Sequence, residues 1–225
     1  MKWNKLRDEV HKNAVDHGWW EKPITFSEVI VLCHSELSEA MEEYRAGRPM
    51  VYCGDGVRQG PACEEEMCNG VNCLRYFPDR KPEGIAVELA DCILRILDYM
   101  GRVRADVDGI IRDVRALAPA PEAQSKKPLP DLVAGCHYLL SSAYSSQRQA
   151  EILGRKRDGR KIKPARPHFP LRPRDFERSA RQRMVGCILD IMRWAKANGV
   201  DMEAVILAKN EYNKGRPYRH GGKRL

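Results

Sequence analysis

Apolar residues recur every three to four positions along most of the chain, and few stretches alternate strictly between apolar and polar residues. The first period is that of an amphipathic α-helix, whereas strict alternation is typical of a half-buried strand. Thr25 or Ser27 stands where a second helix needs its cap, and Asp201 where a last helix does. We therefore expect an all-α fold, a bundle of helices. The pattern predicts helices near residues 3–17, 26–46, 83–103, 106–117, 129–148, 175–198 and 201–214.

Two stretches interrupt this helical pattern. Residues 47–82 are rich in glycine, proline and cysteine, and residues 149–174 are rich in arginine, lysine and proline. Both compositions favour irregular structure over helix. We expect a cysteine-rich loop insert at the first stretch and a basic loop at the second.

Two blocks of sequence occur twice, in the same order. "CHSELSEA" (33–40) aligns without a gap with "CHYLLSSA" (136–143), and the two share Cys, His, Leu, Ser and Ala. "CILRILDYMGRVRADVDGII" (92–111) aligns with "CILDIMRWAKANGVDMEAVI" (187–206), again with cysteine in register. Any two amphipathic helices share apolar spacing, but chance does not readily place Cys and His in register as well.

The repeated blocks divide the chain into two halves, residues 1–118 with the cysteine-rich insert and residues 119–225 with the basic loop. Each half would form a helical hairpin followed by a short third helix. The halves would then pack as a pseudo-symmetric bundle, like a dimer fused into one chain. Two separate units and one continuous domain are both compatible with this division.

Four glutamates crowd residues 36–43 of the second predicted helix, and their angular positions differ. At 3.6 residues per turn, Glu36 and Glu39 fall on the edge of the apolar stripe. Glu43 stays on the same side, whereas Glu42 points toward solvent. The cluster is therefore split between the border of the core and the surface.

The third predicted helix repeats this arrangement, with Glu88 and Asp91 at the edge of its own apolar stripe. Two helices with matched stripes would pack antiparallel, so that the E-x-x-E and E-x-x-D pairs converge between core and groove. Half-buried carboxylates that converge do not all stay ionised unless a cation is present. Mg²⁺, with Mn²⁺ as a substitute, binds through carboxylates plus substrate phosphates. We therefore expect a Mg²⁺–phosphate site.

A solvated acidic face paired with Arg45, Arg95 and Arg102 is the competing interpretation. It explains the solvent-facing glutamate well, but it explains the four acids at the border poorly. A di-iron carboxylate bundle needs Glu-x-x-His pairs, which neither acidic helix contains. His34 and His137 occupy matched positions in the repeats, and only one of them has acidic neighbours, so we expect both to be structural.

Composition indicates which broad class of protein this chain belongs to. The chain has 225 residues, of which 43% are hydrophobic and 31% charged, as in soluble globular proteins. No apolar run reaches transmembrane length, and the N-terminus lacks the apolar segment of a signal peptide. We therefore expect a cytoplasmic protein without a membrane partner.

The net charge of +8 is concentrated in "GRKRDGRKIKPARPHFPLRPR" and "KGRPYRHGGKRL". Such runs favour an anionic partner, either nucleic acid or a phosphorylated small molecule, although they are also typical of solvated loops and tails. No interleaved aromatic residues or known binding module support the reading of bases in a nucleic acid.

The insert carries Cys53, Cys63, Cys68 and Cys73. In a cytoplasmic protein these are thiols or metal ligands in preference to disulfides. The four-residue gaps between the last three fit a zinc knuckle, and the longer first gap does not matter for a second pair. A zinc site is one interpretation of the insert, and unpaired thiols in a loop are the other.

The acidic motifs, taken together, resemble a known group of enzymes. "SELSEAMEEYR" followed by "EGIAVELADCILRILDYM" is similar to the E-x-x-E…E-x-x-D signature of the all-α nucleoside triphosphate pyrophosphohydrolases, the MazG-like superfamily. This group includes dimeric dUTPase-like enzymes and the phosphoribosyl-ATP pyrophosphohydrolases. "AKNEYNKGRPYRHGGK" resembles the Lys…Asn…Arg-Pro…His-Gly segment of MazG-like proteins. E-x-x-E alone occurs on many charged helices, but the ordered set of three is fairly specific.

The resemblance implies a four-helix core that works as a homo-oligomer, a dimer above all. It also implies Mg²⁺-dependent hydrolysis of a nucleoside triphosphate to the monophosphate and pyrophosphate. The positions that match the family's motifs are Glu36, Glu39, Glu88 and Asp91 for the metal and Lys209, Asn213 and Arg216 for the substrate.

Glu36 or Glu39 would act as base toward the attacking water, and the sequence does not choose between them. Glu43 would lie next to the metal ligands without contacting the metal ion itself. Trp19 and Trp20 are placed to stack on a base, although packing at the end of the first helix explains them as well.

The chain departs from the family in three respects. The connection between its acidic motifs is longer than usual and holds the cysteine-rich insert. The Lys…Asn…Arg-Pro segment follows only the second half. That half also lacks the acids, since Leu139, Ser142, Arg183 and Gly186 stand at the corresponding positions.

We expect from these departures a division of labour, with metal binding in the first half and substrate contacts at the end of the second. One chain would then carry one complete site. A rival interpretation treats residues 104–185 as an insertion into a single MazG-like domain. The alternative function is that of a basic nucleic-acid-binding protein, or of a non-catalytic nucleotide-binding regulator, on the same bundle.

Overall fold

The structure is a computed structural model, and it describes residues 1–54, 81–117, 127–154, 156–157, 160–161 and 172–222. These residues are mostly helical, so the all-α class expected from the periodicity is confirmed. The helices are α1 (Trp3–Asp16), α2 (Phe26–Arg45), α3 (Ile85–Arg102), α4 (Val107–Leu117), α5 (Leu129–Gly154), α6 (Pro173–Ala197), α7 (Met202–Lys214) and the short α8 (Arg219–Gly222).

Two short antiparallel strand pairs accompany the helices. β1 (Tyr52–Gly54) and β2 (Lys81–Glu83) pair so that Tyr52 lies opposite Glu83. β3 (Lys156–Arg157) pairs with β4 (Arg160–Lys161). Because Glu83 belongs to β2, the helix predicted from residue 83 begins two residues later, at Ile85.

The start of α2 is fixed by a reciprocal pair of hydrogen bonds. The Glu28 backbone N–H donates to the Thr25 hydroxyl (3.3 Å), and the Glu28 carboxylate accepts from the Thr25 backbone N–H (2.6 Å). Such a capping box satisfies two N–H groups that a helix end leaves unpaired. Thr25 therefore caps this helix in preference to Ser27. Asp201 caps α7 as expected, since its carboxylate accepts from the Ala204 N–H (3.1 Å).

The bundle consists of α2, α3, α5 and α6. In the pair α2 and α3, the Phe26 ring lies 5.0 Å from the Tyr99 ring, and Cys33 contacts Cys92. Position numbers rise along one helix as they fall along the other, so the two helices run antiparallel. This is the packing that matched apolar stripes predict.

The two halves of the chain share one hydrophobic core. At its centre, Cys33 contacts Cys92, Cys92 contacts Cys187, and Cys187 contacts Cys136, and all four side chains are fully buried. The contact with Cys92, together with burial, raises the pKa of the Cys33 thiol, so that it stays protonated. These are the cysteines that the repeated blocks align, and they behave as small apolar side chains.

The remaining helices pack around the bundle. α1 and α7 lie against α3, and α4 lies against α6. α5 continues to Gly154, where the composition had predicted a loop from residue 149, because "QAEIL" is a good helix-forming sequence. Within the described parts of the chain, no helix is both long enough and apolar enough to cross a membrane.

Candidate metal centre

Three carboxylates meet where α2 packs against α3. Glu36 projects from α2, Glu88 and Asp91 project from α3, and one oxygen of each lies within 4.8 Å of the others. Glu36 is only 7% exposed, and the other two are half-buried. Among the described residues this is the one group of three or more His, Cys, Asp or Glu side chains close enough to hold a metal ion.

Two cations already touch this cluster. Arg95 Nε lies 3.0 Å from Glu36 Oε1, and Lys209 Nζ lies 2.8 Å from Asp91 Oδ2. Lys209 is 3% exposed, so it is neither a surface lysine nor free to meet a substrate in this arrangement. The end of the second half therefore reaches the acidic site of the first half through an ion pair.

The arginines expected for a solvated acidic face have separate roles. Arg45 pairs with the exposed Glu42 at 2.8 Å, as that interpretation requires. Arg95 pairs with Glu36 inside the cluster. Arg102 lies over the Trp20 ring, 5.4 Å from its centroid, and within the described residues it makes no ion pair with an acid of the cluster.

Burial and mutual repulsion change the protonation of the cluster. Burial, followed by the charge of Asp91, raises the pKa of Glu36 to about 7. The same two causes, in the same order, raise the pKa of Glu88 to about 8. Near neutral pH the cluster therefore holds protons that a divalent cation would replace.

Glu39 and Glu43 stand apart from the three clustered carboxylates. Glu39 is exposed and accepts a hydrogen bond from the Ser35 hydroxyl (2.9 Å), although its charge still contributes to the raised pKa of Glu36 and Glu88. Glu43 accepts from the Tyr52 hydroxyl (3.0 Å) and so ties α2 to β1. Glu43 therefore contacts the strand pair and is not one of the three clustered carboxylates.

The donor set fits a hard divalent cation. All the clustered donors are carboxylate oxygens, which Mg²⁺ and Mn²⁺ prefer, and neither Cys nor His takes part. Once its protons are displaced, the cluster together with the neighbouring Glu39 would carry four negative charges against the two positive charges of Arg95 and Lys209. One divalent ion would neutralise the difference.

A pocket opens beside this cluster and shares Asp91 and Arg95 with it. Its walls are aromatic, amide and aliphatic side chains from α1, α2, α3, α7 and the turn that follows α1. The lining includes Trp19, Trp20, Tyr99, Asn13, Asn210, Asn213 and Arg216. Both tryptophans of "HGWW" and both remaining substrate positions, Asn213 and Arg216, thus lie around one pocket.

Asp98 fixes the Trp20 wall of this pocket. Its Oδ1 accepts from the Trp20 indole N–H (2.8 Å) and is joined by a hydrogen bond to His11 Nδ1 (2.7 Å). The Trp20 ring also packs edge-on against His11, with centroids 5.4 Å apart. Asp98, His11 and Arg102 thus fix the position of the Trp20 indole.

One polar atom of the pocket has no partner. Asn213 Oδ1 is buried and accepts no hydrogen bond from any described residue. A buried acceptor without a donor is costly, at about 1–3 kcal/mol, and native proteins rarely leave one unmatched. The wall of the pocket therefore contains one buried acceptor that lacks a donor among the described residues.

The C-terminal segment closes one side of the pocket. The Arg216 carbonyl accepts from His17 Nε2 (2.8 Å), and the Arg219 guanidinium donates to the Gly18 carbonyl (3.2 Å). Gly18 has φ +77°, and a Cβ there would lie 2.2 Å from the Tyr218 ring. The turn after α1 and the turn after α7 are therefore fitted to each other.

The corresponding place in the second half carries no acidic cluster. A Cβ on Gly186 would lie 3.7 Å from Leu139 Cδ1, so Leu139 packs next to that glycine. The Arg183 guanidinium donates instead to the Ser179 hydroxyl. His34 and His137 meet at the seam between α2 and α5, with rings stacked at 4.8 Å and Nδ1 atoms 2.5 Å apart.

Sequence reasoning missed Asp98, Asn13, Asn210 and Tyr99. The polar positions 88, 91, 95 and 98 of α3 recur every three to four residues, and this stripe carried the signal for Asp98. No sequence signal pointed to Asn13, since it lies on α1, far in the sequence from the acidic motif of α3. Of the insert cysteines, Cys53 is buried in β1, and Cys63, Cys68 and Cys73 lie outside the described residues, so zinc stays a prediction.

Comparison of the chain with family models, curated proteins and solved structures gave no match. What the chain does must therefore be inferred from the chemistry of the acidic cluster and its pocket.

Proposed function

We propose that the chain is a Mg²⁺-dependent nucleoside triphosphate pyrophosphohydrolase, which converts an NTP or dNTP and water to the monophosphate and pyrophosphate. One observation carries the proposal. The carboxylate cluster of Glu36, Glu88 and Asp91 adjoins, through Asp91, a pocket that aromatic and amide side chains line. The carboxylate cluster would bind the metal ion that a triphosphate requires, and the pocket would bind the nucleoside.

Glu36, Glu88 and Asp91 would hold Mg²⁺ or Mn²⁺, with Glu39 at the exposed edge. Bound there, the ion would neutralise the phosphate charge that develops during hydrolysis and acidify a bound water. Glu39 is the better placed base, because it is exposed to water, whereas Arg95 engages Glu36 at 3.0 Å. Arg95 and Lys209 add positive charge beside the phosphates.

The neighbouring pocket would take the nucleoside. Trp19, Trp20 and Tyr99 offer flat apolar faces for a base, and such stacking is worth about 0.5–1.5 kcal/mol beyond buried area. The unpaired Asn213 Oδ1 would accept an N–H of the base edge. Arg216, at the rim, offers a planar pair of donors to a phosphate.

We further propose that the bundle is of the MazG-like type and arose by duplication. Matched cysteines and matched histidines of the two halves touch, as Cys92 with Cys187 and His34 with His137, which a two-fold relation between halves would produce. The second half has kept the packing residues without the acids, so one chain carries one site. Light scattering would test the homodimer that the resemblance implies.

The test is turnover of a panel of ribo- and deoxynucleoside triphosphates with Mg²⁺, with identification of the products. The wild-type chain should release pyrophosphate from at least one of them, and Glu39→Gln should abolish the release. Glu42→Gln is the matched control, because Glu42 is exposed and, within the described residues, its ion pair is with Arg45. Binding without turnover would identify the non-catalytic regulator, and absence of both would refute the proposal.

A further inference from the structure

A groove lies between the end of α4, in the first half, and the corner in the second half where α6 ends and the turn into α7 begins. Its floor is apolar, formed by Leu189 and Met192 of α6 with Val114, Val200 and Met202. The cavity is about 710 Å³, within the range of roughly 300–1,000 Å³ typical of ligand-binding clefts. No residue of the metal centre or of its pocket lines it.

The groove corresponds in sequence to the place that α1 fills in the first half. The alignment of residues 92–111 with residues 187–206 sets Leu94 against Leu189, Asp98 against Arg193, Gly101 against Lys196 and Asp108 against Glu203. In the first half, α1 packs along this face of α3 with its apolar side chains inward. No described helix fills the corresponding groove of the second half.

The contacts of α1 in the first half show how a helix binds to this face. The Asp108 carboxylate accepts from the backbone N–H groups of Trp3 (3.2 Å) and Asn4 (3.0 Å), at the start of α1. Further along, His11 bonds to Asp98 at 2.7 Å. An acid at the helix start and a polar partner at its side thus fix the position of the apolar stripe.

A second copy of α1 does not suit the groove. α1 approaches α3 closely because Gly101 has no side chain, and a Cβ there would lie 2.3 Å from His11 Cβ. Lys196 stands at the corresponding position, and Arg193 replaces Asp98. A helix in the groove would therefore lie farther from α6 than α1 lies from α3, and it would meet Arg193 where α1 meets Asp98.

The rim of the groove carries three cations, Arg115, Arg193 and Lys196, and two acids, Asp201 and Glu203. The Asp201 carboxylate caps α7, where it accepts from the Ala204 backbone N–H (3.1 Å). Lys196 and Arg115 are exposed and make no ion pair with any described residue. Arg193 is paired with Asp190 at 2.9 Å, and Glu203 lies 3.5 Å from the N-terminal ammonium of Met1. Unpaired cations beside an apolar floor select a ligand that is acidic at its edges and apolar on one face.

We propose that this groove docks an acidic amphipathic helix of a partner protein. Its apolar stripe would pack on Leu189 and Met192, and its carboxylates would face Lys196 and Arg115. Helices laid into apolar grooves recognise partners through anchors at helical spacing, which is how α1 binds its own seat. The proposal stands on the groove and the alignment and does not depend on the enzymatic function.

The probe is a labelled synthetic helical peptide with the apolar spacing of α1 and glutamates on both flanks, followed by fluorescence anisotropy. The full chain should bind it saturably, and more weakly as salt rises. Lys196→Glu should weaken binding about fivefold or more, because an attractive pair becomes a repulsive one. Met192→Glu should weaken it further. Lys22→Glu, the same charge change on an exposed lysine far along the chain, should leave binding unchanged.

Three results would overturn the proposal. The first is no saturable binding of the acidic peptide by the wild-type chain. The second is equal binding of a control peptide that carries lysines in place of the glutamates, or an unchanged affinity in Lys196→Glu. The third is a concentration-dependent dimer, seen by sedimentation, that Met192→Glu abolishes, because the groove would then serve a second copy of this chain.

Discussion

The ammonium of Lys209 lies 2.8 Å from the carboxylate of Asp91, and Lys209 is 3% exposed. This pair joins α7, near the end of the chain, to the acidic face of α3. It positions Asp91 beside Glu36 and Glu88, and it brings Asn210 and Asn213 to the pocket wall. The candidate site thus depends on both halves of the chain.

Replacement of Lys209 by methionine should lower the free energy of unfolding by about 1–3 kcal/mol, because it leaves Asp91 without its partner in a mostly buried place. Urea denaturation followed by circular dichroism measures this loss. Lys214→Met is the control on the same helix, since Lys214 is partly exposed and pairs with the exposed Glu211 at 2.7 Å. It should cost no more than about 0.5 kcal/mol. Equal losses in both variants would mean that the buried pair contributes no more than the surface pair does.

Affinity for a divalent ion should rise with pH across neutrality. Glu36 and Glu88, with pKa values raised to about 7 and about 8, must lose protons before they bind a cation. Protons therefore compete with the ion below these values and cease to compete above them. Titration with Mn²⁺ followed by electron paramagnetic resonance, at pH values from about 6 to about 9, measures the effect. An affinity that is flat over this range would show that these carboxylates do not hold the ion.

The stacked histidines should make the fold sensitive to acid. Burial, followed by the neighbouring His137, lowers the pKa of His34, and burial lowers that of His137. The unfolded chain then binds more protons than the folded chain, so stability is present above the ordinary histidine pKa and is lost as pH falls below it. The double variant His34→Gln and His137→Gln should unfold with a weaker pH dependence between about pH 7 and pH 5. An unchanged slope would contradict this origin of the acid sensitivity.

Gly18→Ala should cost more than Gly47→Ala, although both glycines have positive φ values, +77° and +67°. A Cβ at Gly47 meets nothing within 4 Å, so alanine there costs only the left-handed backbone penalty of about 1–2 kcal/mol. At Gly18 the Cβ would collide with the outer end of the Tyr218 ring, so the ring must turn away and the contact between the two turns is lost. Limited proteolysis should then cleave the C-terminal segment of Gly18→Ala sooner. Identical cleavage of both variants would show that the two turns are not fitted to each other.

The sequence was sufficient for the helices but not for the partners of the charged residues. Apolar periodicity located the bundle helices because burial of one stripe dominates the energetics of each helix. It placed Glu36 at the core border, where the structure has it. It assigned Lys209 to the substrate, because no local pattern reveals that a lysine on α7 will meet Asp91 on α3.

The pocket could not be predicted from the sequence either, because local patterns do not show which distant residues meet. Its wall combines Asn13 of α1, Tyr99 of α3 and Asn210 of α7, residues that only the packing of three helices brings together. Asp98 was accessible in principle, since it continues the polar stripe of Glu88 and Asp91 along α3. Stripes of charge are also typical of solvated faces, and only the bonds to Trp20 and His11 distinguish this residue.

The most direct test of the central claim is pyrophosphate release by Glu88→Gln in the presence of Mg²⁺ and a nucleoside triphosphate that the wild-type chain hydrolyses. Glu88 makes no ion pair with any described residue, and with a pKa of about 8 it is already largely protonated at neutral pH, so glutamine should preserve the fold. We expect the rate to fall at least about 100-fold, because a metal ligand is lost, while Glu42→Gln keeps the wild-type rate. A folded Glu88→Gln chain that releases pyrophosphate at the wild-type rate would contradict the assignment of the metal centre.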